Sequence, residues 1–138
     1  MAQVHLEIVT PEKIVVSEKV DSVVAPGTLG PFGVFPGHTQ LLTGVVPGEV
    51  RWAIGDRDVS VAVTSGFAEV ADDKVSILVD AAEHMEEIDI HRAEQALDRA
   101  RKRLFGGEKK EPVDVARAEA ALSRALARLN VARKKSID

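Results

Sequence analysis

Ile88 to Leu104 reads IDIHRAEQALDRARKRL and Val113 to Leu129 reads VDVARAEAALSRALARL, so the two stretches align at an offset of 25 with ten of seventeen positions identical. In the first, Ile90, Ala93, Leu97, Ala100 and Leu104 step by 3, 4, 3, 4. In the second, Val115, Ala118, Leu122, Ala125, Leu129 and Ala132 step by 3, 4, 3, 4, 3. That period predicts two amphipathic helices with narrow apolar seams. Asp89 and Asp114 stand where N-caps are expected, and Gly106-Gly107 offers a stop after the first helix. A linker of roughly Gly106 to Val113 is short enough to make the helices antiparallel neighbours. Alanine at alternate seam positions lets the axes approach but buries little area, so the hairpin should be marginal alone and need a partner surface.

Upstream of Ile88 the period changes to two. Val4, Leu6, Ile8; Ile14, Val16; Val20, Val23; Val50, Trp52, Ile54; Val59, Val61, Val63; and Val75, Ile77, Val79 alternate between turns such as Gly55-Asp56 and Asp72-Asp73. About eight short antiparallel strands in some eighty residues predict a β-sandwich or flattened barrel. The expected fold is therefore α+β, an N-terminal antiparallel β-sandwich over residues 1–84 followed by a two-helix antiparallel hairpin over 85–138. Charge divides at the same place: residues 1–84 carry five basic and twelve acidic residues, net -7, and 85–138 carry thirteen and ten, net +3. Eight of the ten Gly and five of the six Pro lie in the first part.

Composition removes several functions. Without cysteine there is no zinc ribbon, disulfide framework or thiol nucleophile. Aromatic residues make up 4%, with one Trp and no Tyr, which leaves little stacking surface for single-stranded nucleic acid. Met1 to Thr10 has neither a signal-peptide nor a transit-peptide pattern, so the chain is expected to stay on the cytoplasmic side. No P-loop spacing occurs, and none of the four histidines has a second histidine at metal-ligand spacing. His38 lacks a recognisable nucleophile and orienting acid. No catalytic residue and no metal ligand is therefore assigned.

Two features suggest binding instead. Arg92, Arg99 and Arg103 on the first helix, and Arg117, Arg124 and Arg128 on the second, recur at steps of 7 and 4 beside the seam. They read either as a solvated coiled-coil flank or as an anion grip, since guanidinium forks from two facing helices can hold phosphate or carboxylate oxygens. The six basic residues and one acid between Val115 and Lys135 call for an acidic partner. The other feature is the uncharged run from Ser22 to Gly48, whose six Gly and four Pro exclude a membrane helix. It reads as a buried loop and strand pair, or as a docking site anchored by Phe32, Phe35 and Leu41.

Gly33-Val34-Phe35-Pro36-Gly37-His38 followed by Leu41-Leu42, then Ser65-Gly66-Phe67-Ala68-Glu69-Val70, then Ile88-Asp89-x-x-Arg92-Ala93, fall in the order and spacing of a known family. Across essentially the whole length the chain resembles the ε subunits of F-type ATP synthases. Gln40 stands where that family commonly has proline. The resemblance implies a non-catalytic rotor subunit of the central stalk, peripheral on the cytoplasmic face of the bacterial inner membrane. Its sandwich would dock on the γ subunit and the c-ring, with the loop of Gly33, Val34, Phe35, Pro36, Gly37 and His38 in that surface. Its hairpin would fold down, or extend towards the α and β subunits and inhibit ATP hydrolysis. No cofactor would be required, and no nucleic acid bound. ATP would be a regulatory ligand, held by position at Glu83, Ile88, Asp89, Arg92, Ala93, Arg124 and Arg128. Val113-Asp114-x-x-Arg117-Ala118 repeats the same pattern, so Asp89 also reads as a plain helix cap. A phosphate- or nucleic-acid-binding adaptor using the arginine rows is the alternative, and salt-dependent DNA binding would favour it.

Overall fold

Alternating burial cuts the first 84 residues into ten strands, two more than the sequence count. The computed structural model describes residues 2–105 and 112–133. The strands are β1 (Val4–Val9), β2 (Ile14–Val20), β3 (Ser22–Gly27), β4 (Gly30–Val34), β5 (Leu41–Val45), β6 (Gly48–Ile54), β7 (Arg57–Val63), β8 (Gly66–Ala71), β9 (Lys74–Val79) and β10 (Ala82–His84). Gly30 to Val34 lacks an apolar alternation and Ala82 to His84 is only three residues long, so period counting passes over both.

Hydrogen bonding runs in the order β10-β7-β6-β3-β5-β8-β9-β1-β2, with β4 on the other side of β3. The handover from β3 to β5 is a single pair, Gly27 opposite Val45, and there the sheet folds over into two layers. One layer holds β10, β7, β6, β3 and β4; the other holds β5, β8, β9, β1 and β2. One pair departs from the antiparallel expectation: β1 runs parallel to β9. Between the layers lies a core of branched aliphatics that includes Leu6, Ile8, Val23, Val50, Val61, Val75 and Ile77. Trp52 of β6 is buried in it, and its Nε1–H donates to Glu18 Oε1 of β2 at 2.9 Å, joining the two layers.

A single 3₁₀ turn, Met85–Glu87, leads into α1 (Ile90–Phe105), and α2 covers Pro112–Arg133. Starting α2 at Pro112 puts Asp114 inside the first turn rather than at the cap, which corrects the sequence expectation. Proline suits that start because the first helical N–H has no partner anyway. The expected stop at Gly106-Gly107 and most of the linker fall outside the described residues.

Ala93 and Leu97 of α1 pack with Ala125 and Leu129 of α2, so the helices are antiparallel along the expected seam. α2 also has a second buried side. Val131 and Ala132 pack with Ala62 of β7, Met85 and Ile88, and α2 lies across β6 and β7. It is therefore the middle layer between α1 and the sandwich. The partner surface that the thin seam required is the outer face of the chain's own sheet.

Candidate functional site

Where α2 crosses the end of β7, the two helices and the sheet leave a cleft of about 330 Å³. Its floor is small and apolar, formed by Ala62, Val63, Ala96, Ala100, Ala121 and Ala125. Around the rim stand Arg99 and Arg103 of α1, Arg124 and Arg128 of α2, and Glu83 of β10. Steps of four keep each arginine pair on one helix face, and the antiparallel seam sets the pairs opposite each other. Four guanidinium groups against one carboxylate leave the rim at +3. The volume is at the lower end of the range for small-ligand sites.

Only one of these cations is engaged by an acid among the described residues. Arg128 Nε stands 2.8 Å from Glu83 Oε1, and its Nη2–H donates to Glu83 Oε2 at 3.2 Å. The Nε–H does not point along the shorter axis, so the directional bond is the Nη2 one. Both side chains are about 30% exposed (28% and 31%), which screens the pair only partly. The contact ties the end of α2 to the edge strand of the sandwich.

The seven residues implied by resemblance divide between this cleft and its surroundings. Glu83, Arg124 and Arg128 line it. Ile88 is buried with Met85, Val131 and Ala132, and Ala93 is buried in the helix seam, so neither presents a face to the cleft. The Asp89 Oδ1 atom accepts the Arg92 backbone N–H at 3.1 Å, and its carbonyl accepts that of Ala93 at 3.0 Å, an N-cap. The Arg92 side chain is exposed and is not part of the cleft wall. In its place are Arg99 and Arg103, which the sequence marks as members of the arginine row without distinguishing them from Arg92. Asp89→Ala should cost about 1 kcal/mol, read as earlier loss of helical signal in a thermal melt. An unchanged melt would contradict the capping role.

The other implied surface, Gly33 to His38, is only partly a loop. Gly33 and Val34 belong to β4, and Val34 is fully buried. Phe35 is 65% exposed, and the turn at Pro36-Gly37 is pinned where Gly37, at φ 83°, donates its N–H to Asp73 Oδ1 at 2.7 Å. His38 Nδ1 lies 2.6 Å from the Thr39 carbonyl. Of the three expected anchors, Phe32 and Leu41 pack against the core and Phe35 alone projects.

Among the described residues there is no group of three or more His, Asp or Glu placed to hold a metal ion. No helix there is long and apolar enough to cross a membrane.

Two family profiles cover the chain: the ATP synthase delta/epsilon chain β-sandwich domain matches residues 3–85, and the long α-helix domain of the same chain matches 86–133. An ATP synthase epsilon chain of Nitratidesulfovibrio vulgaris is 52% identical over 100 residues, 72% of this chain and 75% of its relative. One from Desulfosudis oleivorans is 48% identical over 104 residues, 75% of this chain and 78% of the relative. In fold, the chain is similar along its whole length to 83% of a chain in the mitochondrial ATP synthase of Euglena gracilis, solved as OSCP/F1/c-ring, with TM-score 0.80 and 23% identity.

Proposed function

The chain belongs to the ATP synthase delta/epsilon family as a non-catalytic epsilon-type subunit, and from that premise we propose that it is a rotor subunit of the central stalk whose hairpin brakes ATP hydrolysis. Its sandwich docks on the γ subunit and the c-ring, so the protein is a peripheral member of a membrane complex and couples proton flow to rotation. Its hairpin folds down on the sandwich or extends towards the α and β subunits, where the basic excess of α2 meets an acidic surface.

ATP acts in this reading as a regulatory ligand. The observation that carries it is the cleft itself: its walls come from α1, α2, β7 and β10, so it exists only while the hairpin lies against the sheet. A ligand in the cleft therefore selects that position and withdraws the brake. Four arginines around one small space repel each other, and a polyphosphate relieves that repulsion while forming charge-assisted hydrogen bonds. The alanine floor leaves room for an uncharged part of the ligand.

Calorimetry of ATP against the full chain tests the proposal. Arg99→Ala and Arg124→Ala should each weaken binding by roughly 10- to 100-fold, the worth of a hydrogen bond to a charged group. Arg92→Ala should weaken it far less, because its side chain lies outside the cleft. No heat at millimolar ATP, or equal affinity in all variants, would return the arginines to a solvated flank.

A further inference from the structure

The arginine-lined cleft continues past the sheet. A second hollow of about 340 Å³ opens farther along the hairpin, lined by Arg103 of α1 and by Asp114, Arg117 and Ala118 of α2. Arg103 lines both, so the two spaces meet at its side chain. On α2 the arginines at 117, 124 and 128 are separated by seven and four residues, about two turns and one turn, so they share a face. From Arg117 to Arg128 the row runs about 16 Å along the helix axis. Arg99 and Arg103 stand along it on the antiparallel α1.

Acids are scarce along this track. Glu83 closes one end and Asp114 flanks the other, against five arginines. Asp98 and Glu119 belong to the same helices but line neither hollow. Arg99, Arg103, Arg117 and Arg124 are exposed, and only Arg128 is ion-paired to an acid among the described residues. A triphosphate lodged beside Glu83 is matched by Arg99, Arg124 and Arg128, which leaves the stretch from Arg103 to Arg117 uncompensated. That stretch does not suit a nucleoside. Among the described residues its lining has no aromatic ring, and its one apolar wall is Ala118. What it offers is guanidinium groups, whose natural partners are phosphate oxygens.

We infer that the two hollows together form a track for linear inorganic polyphosphate longer than a triphosphate, with Arg103 and Arg117 holding the part that a triphosphate does not reach. The inference rests on the reading of the first cleft as a polyanion site and widens its ligand class. Directly linked phosphates place charge along a line more densely than a nucleic-acid strand, in which a sugar separates each pair. Such a chain ties α1 to α2 along the seam while it pins the hairpin to the sheet, so it holds the hairpin down more firmly than ATP does.

Calorimetry on the full chain tests this by comparing inorganic triphosphate with linear polyphosphate of about ten units, at equal ionic strength and without divalent cations. Arg117→Ala should weaken the long chain by roughly 10-fold or more, the worth of a hydrogen bond to a charged group, and leave triphosphate within about twofold. Asp114→Asn should act in the opposite direction, tightening the long chain several-fold with triphosphate again unchanged. Both positions are exposed, and circular dichroism verifies the helical content of each variant. Binding of both phosphate chains without binding of ATP would sink the nucleotide reading and leave the track standing. No binding of triphosphate to the parent would overturn the polyanion reading of the first cleft, and the track with it. Triphosphate binding with a long-chain affinity that neither substitution changes would overturn the track alone. An oligothymidylate of matching charge that binds as tightly as polyphosphate would give the row to nucleic acid and likewise overturn the inference.

Discussion

A chain ending at Glu87 is expected to keep a folded sandwich and, reassembled with the other ATP synthase subunits, to raise ATP hydrolysis several-fold over the full chain. The core between the layers draws all its buried members from Val4 to Val79, and neither helix contributes one. Truncation removes α2 from the outer face of β6 and β7, including the cover over Ala62 and Met85 and the Arg128 partner of Glu83. Those are contacts on the sheet's outer face and a partly exposed ion pair, modest losses against a core of eighteen buried residues. What disappears entirely is the basic α2, which in the proposed reading reaches towards the catalytic subunits. The release should be largest at low ATP, where the hairpin of the full chain spends least time folded down. Equal hydrolysis by both assemblies at every ATP concentration would mean that the hairpin is no brake.

Gly66→Ala should be the most damaging single change in the sandwich. A Cβ there would sit inside the contact shell of the Leu78 carbonyl and 2.8 Å from Val79 Cα. Both neighbours are backbone, and Gly66 pairs directly with Val79, so relief means prising β8 from β9. We expect a loss of about 3 kcal/mol or more, the upper part of the overpacking range, and a thermal midpoint lowered by roughly 12 to 24 °C on the scale for a domain of this size. A urea titration checks it, and a loss below about 1 kcal/mol would show that the strands separate easily.

Local periodicity made much of this molecule legible. Steps of 3 and 4 located both helices and their shared seam, and alternation located most strands, because each pattern is set by a residue's immediate neighbours. Elements fixed by distant partners were not legible in the same way. β10 is three residues that become a strand only against β7, and the parallel pairing of β1 with β9 joins segments some seventy residues apart. Ala127 and Val131, both buried, lie off the seam of α2 and gain meaning only once the sheet is beneath them.

The candidate sites divide for the same reason. The repeat brings out the arginine rows, but it treats Arg92, Arg99 and Arg103 alike, and only the height at which α2 crosses β7 separates the cleft pair from the outlier. Similarly, an uncharged run drew attention to Phe32, Phe35 and Leu41, whereas the exposed Phe67, Leu78 and Ile14 stand on three other strands that no window of sequence brings together. Asp89 shows the converse case: a motif position whose local work, closing the first turn of α1, is visible in the backbone hydrogen bonds.

Trp52 gives the two parts of the molecule separate voices. It is the chain's one tryptophan, there is no tyrosine, and it sits between the layers with its indole N–H on Glu18. Light emitted by that indole comes from the interior of the sandwich and carries no direct signal from the helices. Far-ultraviolet dichroism, by contrast, is dominated by α1 and α2. A hairpin that lifts or frays should therefore change the dichroism while the emission stays constant, and a sandwich that opens should move the emission to the red. Followed together in one sample, the two colours distinguish a switching subunit from an unfolding one without any label.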